Sequence, residues 1–240
     1  MRSSRLHGRV GVALGSGAAR GWAHVGVLRG LEDAGIHPDV VCGTSIGAVV
    51  GAAYAAGSLD ALENWVTRLG RRQVAAYLDL GFRGGLLRAR KVFEAMAGEI
   101  ADRPIESLPR AFAAVATDLA SGNEVWLRHG SLYNALRASV ALPGLVSPVK
   151  VDGHWLVDGG LVNPVPVSVC RALGADTVIA VDLNSTLVGR RFREADGRQD
   201  DTPSILDVVA NSINIMQIRV TRSRMAGDPP EVLVTPRLPD

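Results

Sequence analysis

Val40-Val41-Cys42-Gly43-Thr44-Ser45-Ile46-Gly47-Ala48-Val49-Val50-Gly51 reads as a brief strand, a cramped turn and the start of a helix. Residues 40–42 form the strand. Residues 46–56 are small or apolar all round, which marks a helix buried on every side. Between them, Gly43-x-Ser45-x-Gly47 has the pattern of a nucleophile elbow, in the strand-to-helix context that such a turn requires. The bend forces Ser45 into a strained backbone geometry. Glycines two positions before and after it are needed because any side chain there would collide with neighbouring backbone. The helix that follows aims its free N–H groups and positive dipole end at the hydroxyl. A tight turn with small residues, kept only for packing, is the competing reading of the same pattern.

Working outward, residues 10–14 are an apolar run bounded by glycines, as expected of a buried parallel strand. A glycine-rich turn and a helix over 23–34 follow, ending at Gly35, a natural C′ glycine. Gly57 closes the buried helix, and residues 59–69 form the next one. Residues 111–118 and 124–128 are two strands around the turn Ala120-Ser121-Gly122-Asn123. A helix near 132–140, a second turn at Asp152-Gly153 within 149–156, a helix over 166–173 and a strand over 177–183 complete the alternation. Residues 188–202 are charged and poor in apolar side chains, so a loop is expected there. A long amphipathic helix runs from Pro203 to about Met225, capped by Thr202, and residues 231–235 suit a last strand. The fold class is α/β, a mostly parallel central sheet flanked by helices.

A chain of 240 residues buries a sizeable core as one domain. With 47% hydrophobic and 21% charged residues it has an ordinary globular composition, and a formal net charge of +2 is too small to indicate nucleic acid. Cys42 and Cys170 offer neither metal spacing nor a disulfide framework and read as buried free thiols of a reducing compartment. The apolar run after the basic start is about five residues, whereas a signal peptide needs about 7–15 and a spanning helix about 20. A cytoplasmic location is expected, peripheral at most to the inner membrane face. No metal or cofactor is expected.

A serine nucleophile needs a base. In α/β-hydrolases the order is Ser, then acid, then a late His. Here Ser45 follows only two strands, no histidine occurs beyond His154, and His154 precedes Asp158, the best-placed acid. The triad reading therefore fails. His24, one helix turn past the glycine loop, reads as a packing residue in preference to a loop support.

Gly15-Ser16-Gly17-Ala18-Ala19-Arg20-Gly21 lies between a strand and a helix and bares backbone N–H groups, an anion-binding arrangement. A dinucleotide fingerprint would need its third glycine one residue earlier and an acidic residue ending the second strand, where Cys42 and the serine turn stand instead. An oxyanion hole fits better, since adjacent parallel strands bring both turns to one edge of the sheet.

In order and spacing, this loop, Gly43-Thr44-Ser45-Ile46-Gly47 and Asp158-Gly159-Gly160 resemble the patatin-like phospholipases. The nearest likeness is to compact bacterial members related to the catalytic domain of neuropathy target esterase. Ala138-Ser139-Val140-Ala141-Leu142-Pro143-Gly144 and Asn163-Pro164-Val165-Pro166 are similar to that family as well. The resemblance implies a patatin-like three-layer fold with a catalytic domain over residues 10–173. Residues 1–9 are then a tail, and residues 174–240 a strand, loop and helix packed on the same domain. It also implies a Ser–Asp dyad: Ser45 attacks the ester carbonyl and Asp158 takes its proton, while the N–H groups of Gly17 and Ala18 hold the oxyanion. Arg20 matches the basic residue that steadies the family's loop or meets a phosphate. Ser16 and Ala18 stand where the family usually has glycine, and a positive φ at position 18 would strain an alanine.

The implied activity is hydrolysis of lipid acyl esters through an acyl-enzyme. The alternatives are a thioesterase or transacylase on the same dyad, or a lipid-binding regulator with little turnover. A carboxylate of ordinary pKa near 3.9 is a poor base for serine, but the small and apolar neighbours of Asp158 supply a dry site that raises it. The expected partners are a lipid or ester substrate, a transient membrane-surface contact and a second copy in a homo-oligomer. Residues 71–91 mix cations with leucines and aromatics, which suits either an anionic lipid surface or a solvated loop packed on itself. On the C-terminal helix, Ile205, Val208, Val209, Ser212, Ile215 and Met216 form a face expected to pack on the core or a partner subunit.

Overall fold

The computed structural model describes residues 8–68, 102–144, 146–185 and 205–237. The basic stretch 71–91, the charged stretch 188–202 and the expected cap at Thr202 lie outside the described residues. In chain order the elements are β1 (Val10–Leu14), α1 (Ala23–Asp33), β2 (Val40–Thr44), α2 (Ile46–Ala55), α3 (Leu59–Arg68), β3 (Ala111–Asp118) and β4 (Glu124–Leu127). There follow α4 (Leu132–Ser139), β5 (Val149–Val151), β6 (His154–Asp158), α5 (Val167–Ala172), β7 (Thr177–Val181), α6 (Ile205–Gly227) and β8 (Val232–Val234).

One eight-stranded sheet runs β5-β6-β3-β2-β1-β7-β8, with β4 also on β3. β3, β2, β1, β7 and β8 are parallel; β4, β6 and β5 join antiparallel. β1, β2, β3 and β7 are apolar on both faces because both faces are covered. Val12, Leu14, Val41, Phe112 and Ala114 pack under α1 to α4 with Leu28, Val49, Leu62 and Leu136. Ala13, Val40, Cys42, Ala113 and Val115 pack on the other side with Val167, Val169 and Cys170 of α5. Both cysteines are buried and free. The result is three layers, helices on either face of the sheet.

The register around β3 sets the geometry of the site. β4 pairs with Ala114–Thr117 of β3. Over the same stretch β2 ends opposite Val115, and β6 begins its pairing at Ala116. Because a strand residue pairs once on each edge, β4 holds one edge and β2 and β6 share the other. They run toward each other and meet end to end, with Thr44 opposite Val115 and Asp158 opposite Ala116. The residue that leaves β2 and the residue that ends β6 are thereby neighbours.

The C-terminal helix does not place its apolar face on the core of its own chain, the first of the two partners expected for it. Val208, Val209, Ile215 and Met216 are 47 to 53% exposed, so they do not pack on the core. The helix instead turns Gln217, Ile218 and Thr221 inward, and Met225 lies against the second core cluster. Two of those four are polar, so hydrophobic periodicity did not mark the face that packs on the rest of the chain. Among the described residues no helix is long and apolar enough to cross a membrane.

Tight spaces are concentrated at the turn after β2. A Cβ on Gly43 would lie 2.4 Å from the backbone of Ala48 and Gly47, and one on Gly47 would lie 2.2 Å from the carbonyl oxygen of Leu14. Gly30, on the exposed side of α1, has nothing within 4 Å of such an atom. Gly43→Ala should therefore destabilise the fold by about 3 kcal/mol or more through overpacking against backbone. Gly30→Ala should stabilise it by about 0.5–1 kcal/mol through helix propensity. Urea unfolding of the two variants checks the contrast, which equal effects would contradict.

Candidate active site

Ser45 sits at φ 58°, ψ −126°, between the last residue of β2 and the first of α2. Few side-chain-bearing residues adopt such a backbone, and strain of this kind persists only where the surroundings impose it. The close packing at Gly43 and Gly47 does so. Thr44 Oγ1 adds a hydrogen bond to the Asn163 carbonyl oxygen (2.8 Å). The N–H of Ser45 donates to Ser139 Oγ (2.9 Å), which itself donates to the Val115 carbonyl oxygen (2.7 Å). The elbow is thus tied to β3 and to the C-terminal end of α4.

The Ser45 hydroxyl donates to Asp158 Oδ2 at 2.7 Å. The other carboxylate oxygen accepts the N–H of Gly160 at 2.7 Å. The backbone of Asp158 is held at both ends, its N–H by the Ala141 carbonyl oxygen (3.0 Å) and its carbonyl by Thr117 Oγ1 (2.8 Å). The residue is only 2% exposed. Burial raises its pKa from 3.8 to about 6, against the opposing pull of the Ser45 and Gly160 hydrogen bonds. Among the described residues no imidazole hydrogen-bonds to Ser45 or Asp158. His154 Nδ1 pairs with Asp118 Oδ2 at 2.6 Å at the surface.

The glycine loop leaves β1 beside the elbow, since Leu14 is in register with Gly43. The Gly15 and Ser16 N–H groups donate to the Val181 and Pro164 carbonyl oxygens (3.0 and 2.8 Å). Ala18–Trp22 then form a short 3-10 turn in which the Arg20 N–H donates to the Gly17 carbonyl oxygen (2.9 Å). Arg20 is half-buried, and Gly21 packs directly against Ile46. Ala18 does have a positive φ, 44°, so an alanine occupies a conformation that favours glycine. The N–H groups of Gly17 and Ala18 have no acceptor among the described residues.

His24 corrects its expected role. It is fully buried, and its Nε2 donates to the Gly15 carbonyl oxygen at 2.8 Å. Burial lowers its pKa to about 4, so the ring is neutral and braces the loop as a hydrogen-bond donor. Sequence reasoning also passed over Asn184, whose Nδ2 donates to the Ser16 carbonyl oxygen (3.2 Å), and Gln217, whose Oε1 accepts from Ser16 Oγ (3.1 Å). No motif marks either residue; only the spatial return of β7 and α6 to the loop reveals them. Among the described residues no group of three His, Cys, Asp or Glu side chains is placed to share a metal ion.

The order of loop, elbow and Asp-Gly-Gly turn, on a sheet of this topology, can be compared with known proteins. A family model described as patatin-like phospholipase matches residues 12–171. The chain belongs to the patatin-like phospholipase family. An uncharacterized NTE family protein of Mycobacterium tuberculosis is 43% identical over 182 residues, 75% of this patatin-like chain and 51% of the relative. Patatin-like phospholipase domain-containing protein 6 of Mus musculus is 35% identical over 184 residues, 73% of this chain and 14% of the relative. The chain thus spans about half, or much less, of the length of these curated relatives. VipD from Legionella pneumophila aligns with a TM-score of 0.45 at 13% identity, covering 80% of this chain and 52% of that one.

The buried carboxyl has a consequence for stability. Its native pKa lies above the unfolded value, so the native state holds a proton that the unfolded chain releases between about pH 4 and 6. Stability from this group is complete below the lower value and is lost as pH rises through the upper. At neutral pH the buried charge costs about 3 kcal/mol. Asp158→Asn, uncharged at every pH, should melt above the wild type at pH 7, with the gap shrinking toward pH 4. Thermal melts at the two pH values check this, and a gap that is independent of pH would contradict it.

Proposed function

We propose that this patatin-like chain hydrolyses acyl esters of lipids with Ser45 as nucleophile and Asp158 as the only proton carrier. The observation that carries the reading is the 2.7 Å hydrogen bond from the strained Ser45 hydroxyl to a carboxylate buried to 2% exposure. A pKa near 6 leaves Asp158 ionised at neutral pH and a better base than an exposed aspartate. The family supports a lipid acyl ester as the substrate class.

In this reading Ser45 Oγ attacks the ester carbonyl while its proton passes to Asp158 Oδ2. The N–H groups of Gly17 and Ala18, which lack protein acceptors among the described residues, take the developing oxyanion. The tetrahedral intermediate expels the alcohol, which leaves with the proton from Asp158. Water then attacks the acyl-enzyme, giving its proton to Asp158 and releasing the fatty acid as Ser45 is restored. Each half-reaction uses the carboxyl first as base and then as acid. Positioned amides facing the oxyanion act strongly because the site is dry.

Ser45→Ala should lower kcat on a water-soluble ester at least about 10³-fold, and Asp158→Asn by a similar amount, with far-UV circular dichroism unchanged in both. Stoichiometric labelling by a fluorophosphonate should occur in the wild type and vanish in Ser45→Ala. Wild-type turnover in either variant would reject the dyad. In the wild type kcat/KM should fall on the acid side with an apparent pKa near 6, as protonation of Asp158 removes the base. A rate that holds level down to pH 4.5 would point to another base.

A further inference from the structure

The long C-terminal helix reaches the site through one side chain. Gln217 is 7% exposed and stands between the glycine loop and the turn after β6. The hydrogen bonds around Ser16 fix the orientation of its amide. Asn184 Nδ2 donates to Ser16 Oγ at 3.2 Å, so that hydroxyl must send its own proton elsewhere, and it sends it to Gln217 Oε1 at 3.1 Å. Gln217 Nε2 is then the end that faces the Asp158 turn. It lies 2.5 Å from the point where a Cβ on residue 160 would stand, and Asp158 Oδ1 lies 2.9 Å from the same point. The space above Gly160 is therefore filled by the Gln217 amide on one side and by the carboxylate on the other. The helix carboxyl to Gln217 is itself anchored by Arg224, whose Nε donates to the Val162 carbonyl oxygen (2.8 Å) and whose guanidinium pairs with Glu124 (2.6 Å).

We propose that Gln217 is a positioning residue that clamps the glycine loop to the Asp158 turn, and that residue 160 is glycine to leave room for its amide. The proposal rests on the dyad reading given above and adds to it an element far along the chain. Ser16 immediately precedes Gly17, so a fixed Ser16 sets where the oxyanion donors lie relative to Ser45. One amide thus holds two parts of the site in register.

The test uses the full chain and a short-chain p-nitrophenyl ester. Gln217→Met keeps length and bulk and loses the hydrogen bond from Ser16. It should lower kcat about three- to tenfold with KM within about twofold. Ser16→Ala removes the same hydrogen bond from the other side and should lower kcat comparably. The double variant should be no worse than the poorer single one, since both break one link. Gly160→Ala should cost at least about tenfold, and Gln217→Ser should restore part of that loss by clearing the space. Wild-type kcat in Gln217→Met, additive losses in the pair, or a Gly160→Ala defect untouched by Gln217→Ser would overturn the proposal. If Gln217→Met does not fold, Ser16→Ala and the Gly160 rescue decide it. Ser45→Ala runs in parallel: turnover there would bring down the dyad reading, whereas a dead Ser45→Ala beside an unaffected Gln217→Met would bring down the clamp alone.

Discussion

The rest of this structure depends on two strands ending against each other on one edge of β3. β2 stops opposite Val115 and β6 arrives opposite Ala116 from the other direction. The chain leaving β2 must bend at once to avoid β6, and the bend is the strained turn at Ser45. The chain leaving β6 meets the same gap, which places the Asp158 carboxyl within hydrogen-bonding distance of that hydroxyl. No flexible loop is needed to bring them together. Adjacent backbone registers do it, and the ends that meet, Thr44 and Asp158, are both buried.

Placing a carboxylate there carries a thermodynamic penalty, since desolvation disfavours its charge. The fold offsets that penalty only in part, with one amide N–H and one hydroxyl. What remains is the raised pKa, and in the proposed mechanism this incomplete compensation is what suits Asp158 to act as a base. More hydrogen bonds would stabilise the carboxylate and weaken it as a proton acceptor. The glycine loop shows a related compromise. Ala18 holds a positive φ that costs it conformational energy, and the loop that leads into it is held by the neutral His24, by Asn184 and by Gln217. Side chains from α1, from the segment after β7 and from α6 thus brace the strained loop at Gly15 and Ser16.

The last helix has two characters. Its C-terminal half is fastened to the domain by Ile218, Thr221 and Arg224 and sends Gln217 to the glycine loop. Toward its N-terminus, Val208, Val209, Ile215 and Met216 remain exposed. Hydrophobic side chains are thus spent away from the core, while polar ones take the buried stripe because they have hydrogen bonds to make there. Such an arrangement defeats periodicity as a guide to orientation.

By itself the sequence determined the α/β class, the order of elements, the elbow, and the likeness of its three ordered motifs to the patatin-like phospholipases. These are local properties: a glycine two residues either side of Ser45, an apolar run too short for a helix, an aspartate before paired glycines. Their physical causes act within a few residues, so they are legible in a string of letters. Only the tertiary structure decided which side chains share a space. The end-to-end meeting of β2 and β6, the brace from His24, the Ser139 link to the elbow and the filling of Gly160's free side by Gln217 all join residues distant in the chain. Such contacts are fixed by strand register and helix rotation, which depend on the packing of the whole core and leave no mark at any single position.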